Sequence, residues 1–296
     1  MLTRGSVRLA VKAKAWVPTQ KDWTLAAQCV QPEEKDRIGR FVFKKDAKSA
    51  IVGRLLIRRV VSSMLGVPYR CIKLGRTDKG KPYVLNSTDG KTPQAGCNFN
   101  ISHQGDFVVI AAEEKKQVGV DIMKVEWPRN TSIQEFLTTM DRQLTQQEWS
   151  TVRRYQDDME QLKAFYRFWC LKESFVKALG TGIGFEVSRL DFNTARKELS
   201  INEISRSTTL KVDTKPASDW AFEETLLEDH CVAVASRVER PELEGKQSQK
   251  QGPLGHFTVW SIEELLSGCD PLMGSESDQA YWENFAAKQE APGSSP

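Results

Sequence analysis

Apolar residues recur with two different periods along the N-terminal part of the chain. Alternation predicts a strand over about 7–17, and Thr19 is placed to cap a short helix after it. The stretch "PEEKDRIGRFVFKKDAKSAIVGRLLIRRVVSSMLG" predicts two helical pieces, the second ending at Gly66, because its apolar positions recur at helical spacing.

Short β-type runs follow, on both sides of a second helical region. Two strands, "CIKLGRT" and "KPYVLN", are predicted around a basic turn from Arg76 to Lys81, and then come "NFNIS", "FVVIAAE" and "VGVDIM". A helical region over about 132–180, broken near Leu144–Thr145, ends at the glycine-rich "GTGIG". Strands are expected again at "RLDFN", "TTLKV", "WAFEETLL" and "HCVAVASR".

The order of these elements repeats loosely, which predicts an α+β fold of two similar halves. In each half a helix ending in glycine leads to a short strand and then to an apolar strand, although any α+β chain can show such order by chance. The predicted organisation is an N-terminal half over 1–120, a C-terminal half over 121–238, and a linker with a tail over 239–296. In the tail, "HFTVWSIEELLS" predicts a strand and a short helix, and "QAYWENFAAK" a further helix.

Composition narrows the function classes. A net charge of +3 is too small to imply nucleic acid, and the chain has no apolar run long enough for a membrane span. Six scattered cysteines without C-x-x-C, and only three histidines, argue against a zinc site and favour a reducing, cytosolic compartment. The basic N-terminus is compatible with a transit peptide, but its alternating apolar residues favour a strand.

The helix "FWCLKESFVKALG" carries three charges on a largely apolar segment. Lys172 falls inside the apolar arc, Glu173 at its edge, and Lys177 one turn beyond Glu173. One interpretation is a solvated Glu–Lys pair, with Lys172 extending its amine to water. The other is a functional site, because Asp121 ends the apolar strand "VGVDIM" and a pair of carboxylates suits Mg²⁺. Asp121 by itself is also compatible with a simple turn.

Two polar segments are candidates for binding phosphate. "GRTDKGKP" places Arg76, Lys79 and Lys81 around Gly80, which suits either a phosphate site or an exposed basic hairpin turn. It lacks the pattern of a P-loop. "NFNISHQGDF" concentrates amides, hydroxyl and imidazole, and His103 can donate to phosphate when protonated. A Ser-His-Asp triad there has no nucleophile elbow to support it.

Together these segments resemble phosphopantetheinyl transferases of the surfactin-synthetase-activating type. The two signatures of that family, [V/I]-G-[V/I]-D and [F/W]-x-x-K-E-[S/A]-x-x-K, stand here as Val118–Asp121 and Trp169–Lys177, with "RTDKGKP" and "NISHQGD" as further matches. The segment "QPEEKDRIGRFVF" and the extended tail resemble the animal members. The resemblance implies two α+β halves related by a pseudo-twofold, with the active site in the cleft between them. It also implies transfer of phosphopantetheine from coenzyme A to a carrier-protein serine, with release of adenosine 3',5'-bisphosphate.

The resemblance also implies roles for individual residues. Asp121 and Glu173 would hold Mg²⁺, Glu173 would take the serine proton, and Lys177 would act on the leaving phosphate. Met123 replaces an acidic residue of bacterial relatives, so water held by Gln104 is the candidate third ligand. The implied coenzyme A contacts are Arg37, Arg76, Thr77, Asp78, Lys79, Gly80, Lys81, Asn100, Ile101, Ser102, His103, Glu173, Ser174 and Lys177.

The implied partners are apo carrier domains. They comprise the acyl carrier domain of fatty acid synthase, aminoadipate-semialdehyde dehydrogenase and formyltetrahydrofolate dehydrogenase. No nucleic acid or membrane partner is expected, and a duplicated chain predicts a monomer. The alternatives are a catalytically silent coenzyme A or nucleotide-binding protein, and a basic adaptor for acidic partners or RNA. Retention of the charged residues of both signatures argues against the first, and the modest net charge against the second.

Overall fold

A computed structural model describes most of the chain as mixed helices and sheets. The described residues are 5–85, 96–201, 203–238, 256–272 and 279–291, excluding the side chain of Ile183. The linker predicted over 239–255 therefore lies outside the described residues. Within the described ranges, no helix is long and apolar enough to cross a membrane.

Most predicted elements are confirmed, with bounds as follows. The helices are α1 (Gln20–Gln28), α2 (Pro32–Gly39), α3 (Lys44–Leu65), α4 (Ile133–Thr139), α5 (Gln146–Val152), α6 (Asp158–Leu179), α7 (Ile262–Leu266) and α8 (Gln279–Ala286). The strands are β1 (Ser6–Val11), β2 (Leu74–Arg76), β3 (Pro82–Val84), β4 (Asn98–Gln104), β5 (Phe107–Glu113), β6 (Val118–Lys124), β7 (Leu190–Asn193), β8 (Thr209–Val212), β9 (Lys215–Pro216), β10 (Trp220–Leu227), β11 (His230–Arg237) and β12 (Thr258–Trp260). The two-residue strand β9 was not predicted.

The chain forms two compact units assembled from separate segments. Unit 1 comprises Met1–Cys97, Asp106–Glu114 and Thr258–Pro296, and unit 2 comprises Asn98–Gly105 and Lys115–Phe257. The sequence suggested continuous halves over 1–120 and 121–238 with a separate tail. The units differ from that division because the tail strand β12 pairs with β1, and because side chains of β4 bond to β6.

Unit 1 is built around strand β1. It pairs antiparallel with β5 and parallel with β12, and the long helix α3 packs on β5. Trp23 of α1, fully buried, stacks on Phe285 of α8 with ring centroids 3.8 Å apart. Burying two large aromatic side chains contributes several kcal/mol, about 2 for each ring. Helix α8 of the tail is therefore part of the core of unit 1.

Local signals in the sequence set the ends of the helices. The side chain of Thr19 accepts from the amide of Asp22, whose carboxylate accepts from the Thr19 amide, so α1 starts with a complete capping box. Helices α3 and α6 both end at a glycine in the left-handed region, Gly66 with φ 65° and Gly180 with φ 72°. Residues with a Cβ disfavour that conformation, so the predicted stops at these glycines are confirmed.

Unit 2 packs helix α6 across an antiparallel sheet. The sheet has the order β10-β11-β6, with Asp121 opposite Ala233, and α6 covers β6 and β11. A separate small sheet has the order β7-β8-β9. The apolar arc predicted for the segment "FWCLKESFVKALG" of α6 is confirmed, because Phe168, Leu171 and Phe175 are all buried in the unit 2 core.

Gly119 sets the distance between β6 and α6. A Cβ at this position would lie 2.1 Å from the carbonyl oxygen of Ser174 and 2.4 Å from the amide nitrogen of Ala178. Both are backbone atoms, so the helix would have to move away from the strand.

Substituting Gly119 with alanine should therefore destabilise unit 2 and displace α6. We expect a loss of roughly 1–3 kcal/mol, the usual cost of overpacking, measured by urea denaturation. The matched control is Gly184→Ala, because a Cβ at Gly184 meets no atom within 4 Å. Equal stability of the two variants would contradict the close packing.

Candidate active site

Asp121 lies on β6 beneath α6 and is held by two side chains. Its exposed fraction is 5%, and its Oδ1 accepts from Nζ of Lys177 at 2.5 Å and from Oγ of Ser102 at 2.9 Å. Nζ of Lys177 also donates to Oγ of Ser102 at 2.9 Å. Strand β4, strand β6 and helix α6 thus each contribute one group to a closed triangle of hydrogen bonds.

Glu173 lies one helical turn before Lys177 on α6 and is half-buried. Burial raises the pKa of Glu173, the charge of Asp121 raises it further, and Lys177 partly opposes both. Because the charge of Asp121 raises the pKa of Glu173, the two carboxylates interact electrostatically. A helix position and a strand position 52 residues apart in sequence are therefore brought into one site.

This carboxylate pair fits a hard divalent cation. Oδ2 of Asp121 is buried and, among the described residues, has no hydrogen-bond partner. A buried carboxylate oxygen without a partner costs free energy, which a coordinated cation would recover. Mg²⁺ is bound through few carboxylates and retains several waters, so Asp121 and Glu173 are two residues that could hold such an ion. Met123, two residues along β6, supplies only a thioether.

Alternate residues of β4 attach that strand to β6 through side chains. Oδ1 of Asn100 accepts from the amide of Val120 at 3.0 Å, and Oε1 of Gln104 accepts from the amide of Lys124 at 2.5 Å. Between them, Ser102 bonds to Asp121. The side chains of Asn100, Ser102 and Gln104 thus hold the strand that carries Asp121, whereas His103 is exposed.

Two other charged or polar residues of the helix signature face the interior. Ser174 is fully buried, and its hydroxyl donates to the carbonyl of Leu171, so its side chain is not presented to solvent. Lys172 is also fully buried and pairs with Glu148 of α5 at 2.8 Å. The interpretation in which Lys172 extends its amine to water is therefore wrong.

The ammonium group of Lys172 contacts three acceptors. Besides Glu148, Nζ donates to the carbonyls of Val187 at 3.0 Å and Leu190 at 2.6 Å. Burial raises the pKa of Glu148 and lowers that of Lys172, and in each case the partner's charge opposes the shift. The lysine joins α6 to α5 and to the start of β7, which fixes the helix that carries Glu173.

A second group of charges lies in unit 1. Glu34 of α2 is 6% exposed and accepts from Nε of Arg37 at 3.0 Å and from Nε of Arg76 at 2.9 Å. Nη1 of Arg54, on α3, lies 3.5 Å from the same carboxylate. The structure therefore brings together two predicted coenzyme A contacts, Arg37 and Arg76. It adds Glu34 and Arg54, which no sequence pattern indicates except the i,i+3 spacing of Glu34 and Arg37.

The basic turn after Arg76 is a tight hairpin. The amide of Gly80 donates to the carbonyl of Thr77 at 2.7 Å, the amide of Thr77 donates to that of Lys81 at 2.9 Å, and Gly80 has φ +78°. Nη1 of Arg76 donates to the carbonyl of Gly80 at 2.9 Å. Asp78 and Lys79 are exposed. Lys81 is half-buried, and burial lowers its pKa.

Comparison with known proteins decides the family. A model described as 4'-phosphopantetheinyl transferase, N-terminal, matches residues 14–115, and one for the 4'-phosphopantetheinyl transferase superfamily matches residues 117–235. The chain is 45% identical over 293 residues to an L-aminoadipate-semialdehyde dehydrogenase-phosphopantetheinyl transferase of Xenopus laevis, covering 97% of this chain and 94% of the relative. This chain belongs to the 4'-phosphopantetheinyl transferase family.

Further members of the transferase family show how far the similarity extends. The Homo sapiens enzyme of the same name is 42% identical over 290 residues, covering 97% of this chain and 93% of the relative. A phosphopantetheinyl transferase of Thraustochytrium is 36% identical over 232 residues, covering 76% of each chain. Both animal alignments span nearly the whole chain. The superfamily match contains Asp121, Glu173 and Lys177, and the N-terminal match contains Arg37 and Arg76.

Proposed function

We propose that this transferase moves the 4'-phosphopantetheine arm of coenzyme A to a serine of apo carrier domains. The products would be the holo-carrier and adenosine 3',5'-bisphosphate. The observation that carries the proposal is the convergence of Asp121, Glu173 and Lys177, which the two signatures predicted, at one place on β6 and α6. The same signatures support assignment to the surfactin-activating subclass.

The carboxylates of Asp121 and Glu173 and the ammonium group of Lys177 would each have a separate role in the reaction. Asp121 and Glu173 would hold Mg²⁺, which supplies charge neutralisation at the diphosphate of coenzyme A. The raised pKa of Glu173 suits a general base that removes the proton of the attacking serine. Lys177, held by Asp121 and Ser102, is a cation suited to stabilise the leaving phosphate.

The third metal ligand would be water rather than protein. Gln104 is the candidate to hold that water, because its half-buried amide lies at the end of β4 with its oxygen already oriented toward β6. An unchanged Mg²⁺ requirement and turnover in Gln104→Ala would remove Gln104 from this role.

Coenzyme A itself would be held by cations and by the hairpin turn. Arg37 and Arg76 offer planar guanidinium groups that match phosphate oxygens. The proposed remaining contacts are Thr77, Asp78, Lys79, Gly80, Lys81, Asn100, Ile101, Ser102, His103 and Ser174. Ser174 is fully buried and its hydroxyl already donates to the carbonyl of Leu171, so its side chain does not offer that proton to coenzyme A.

The carrier substrates are inferred from the relatives. Several relatives are named for L-aminoadipate-semialdehyde dehydrogenase, so we propose the carrier domain of that enzyme as one substrate. The acyl carrier domain of fatty acid synthase and formyltetrahydrofolate dehydrogenase are the further proposed substrates. A monomer in a reducing, cytosolic compartment is the proposed state, and sedimentation of the purified chain would test it.

We also propose that the two units are diverged copies of one ancestral unit. Each contains a 22-residue helix, α3 or α6, that ends at a left-handed glycine and leads to a short antiparallel hairpin. Superposing the elements of one unit on those of the other tests this. A best superposition that equates strands in a different chain order would exclude duplication.

The decisive experiment is a change in the mass of an apo carrier domain. The purified chain is incubated with coenzyme A, Mg²⁺ and the apo carrier, and the carrier is measured by intact-protein mass spectrometry. We expect an added phosphopantetheine group on the carrier, and none when a carrier lacking its target serine is used. Tight coenzyme A binding without any transfer would contradict the enzyme and indicate a silent binding protein.

A further inference from the structure

Glu34 is the common partner of three arginines from three different elements. Arg37 lies on α2, Arg54 on α3 and Arg76 on β2, and all three reach the carboxylate of Glu34 within 3.5 Å. Arg76 binds it through two nitrogens, Nε to Oε1 and Nη2 to Oε2, each at 2.9 Å. This two-point contact fixes the plane of the Arg76 guanidinium.

The four charges do not cancel. Three guanidinium groups against one carboxylate leave a net charge of +2 in the cluster. Burial acts to raise the pKa of Glu34, but the hydrogen bond from Arg76 and the charge of Arg54 outweigh it, so the pKa is lowered overall. Glu34 is therefore ionised at neutral pH, and the cluster keeps an excess of positive charge.

Arg54 is the least satisfied member of this cluster. It is 7% exposed, and among the described residues its Nε and Nη1 have no hydrogen-bond partner. Burial lowers the pKa of Arg54 to about 10, while Glu34 opposes that shift. A buried guanidinium with unfilled donors costs free energy, which an anion accepting from those donors would recover.

We infer that Glu34 is a positioning residue that holds Arg37 and Arg76 for a phosphate group of coenzyme A, with Arg54 as a third cation of the same subsite. This inference rests on the proposed function, which assigns Arg37 and Arg76 to coenzyme A. Glu34 itself repels phosphate, so its contribution is geometric. Without it, three neighbouring cations would repel one another and their side chains would separate.

The variant Glu34→Gln separates geometry from charge. It raises the net charge of the cluster from +2 to +3, so a purely electrostatic subsite would bind coenzyme A more tightly. A subsite that depends on positioning would bind it more weakly, by about tenfold or more, as when a supporting shell is removed from a site. Affinity is measured by isothermal titration with coenzyme A alone, so the result does not depend on transfer to a carrier.

The matched control is Glu33→Gln. Glu33 precedes Glu34 on α2, is exposed, and accepts a hydrogen bond from the side-chain amide of Gln31. We expect coenzyme A affinity within about twofold of the unsubstituted chain, since exposed charges contribute little. In steady-state assays, Glu34→Gln should raise KM for coenzyme A while kcat at saturation stays within about threefold, because no reacting atom is touched.

Further outcomes separate this inference from the assignment on which it rests. Equal or tighter binding of coenzyme A by Glu34→Gln overturns the inference. Unchanged affinity in both Arg37→Ala and Arg76→Ala overturns the assignment of the subsite to coenzyme A. If Glu34→Gln does not fold, Arg54→Lys is the second variant. It keeps the positive charge but replaces the planar guanidinium with an ammonium group, and we expect coenzyme A to bind more weakly by about threefold or more. Unchanged binding by a folded Arg54→Lys would exclude Arg54 from the subsite.

Discussion

Replacing Glu173 by glutamine should lower kcat for phosphopantetheine transfer by about 10²–10⁴-fold, the usual contribution of a general base. The amide cannot take the serine proton, and it is a poorer ligand for Mg²⁺ than a carboxylate. The fold should persist, since burial raises the pKa of Glu173 and a neutral side chain relieves its repulsion with Asp121. The measurement is single-turnover transfer to an apo carrier, with thermal denaturation of the same preparation.

Glu160→Gln is the matched control on the same helix. Glu160 lies in the first turn of α6, is 43% exposed and pairs only loosely with Lys163 at 3.8 Å. We expect its turnover to lie within about twofold of the unsubstituted chain. If Glu173→Gln retains full turnover with an unaltered Mg²⁺ requirement, Glu173 is neither base nor ligand.

Replacing Lys172 by methionine, in contrast to Glu173→Gln, should cause a large loss of stability. Glu148, fully buried, would lose its ammonium partner, whose charge opposes the rise in the pKa of Glu148 caused by burial. Breaking a buried pair in this way costs about 3–5 kcal/mol, because the remaining ion stays uncompensated. Two carbonyl groups, those of Val187 and Leu190, would also lose a donor. Urea denaturation monitored by tryptophan fluorescence measures the loss.

A double-mutant cycle and a lysine control test this explanation. Lys172→Met with Glu148→Gln should recover part of the loss, since the buried charge is then removed with its partner. Lys163→Met is the control, because Lys163 is 31% exposed on the same helix. If Lys172→Met is as stable as this control but inactive, Lys172 acts in the chemistry rather than in the fold.

Lys172 and Glu173 are neighbours in sequence, but the sequence alone did not fully distinguish their roles. Both stand in one signature, and helical spacing placed Lys172 in the apolar arc and Glu173 at its edge. That geometry is local and is confirmed. The partner of Lys172 is on a different helix, and no periodicity indicates which acidic residue will meet it in the core.

Gln104 and the neighbouring β4 residues illustrate a second limit. A cluster of amides and hydroxyls beside a strand predicted a ligand site, and nothing in the sequence indicated that these side chains also bond to the backbone of β6. Such bonds depend on how the two strands are aligned with each other. Register is set by tertiary packing rather than by the strand's own residues.

The sequence by itself determined most of the helices and strands, the helix caps and the two signatures, because periodicity, capping and glycine conformation act over a few residues. Tertiary structure decided which charges meet. Arg76 reaches Glu34 across 42 residues, the tail strand β12 pairs with β1, and Asp121 lies within the electrostatic reach of Glu173. Contacts between distant segments depend on how the buried faces of whole elements fit together, and no short stretch of sequence encodes that fit.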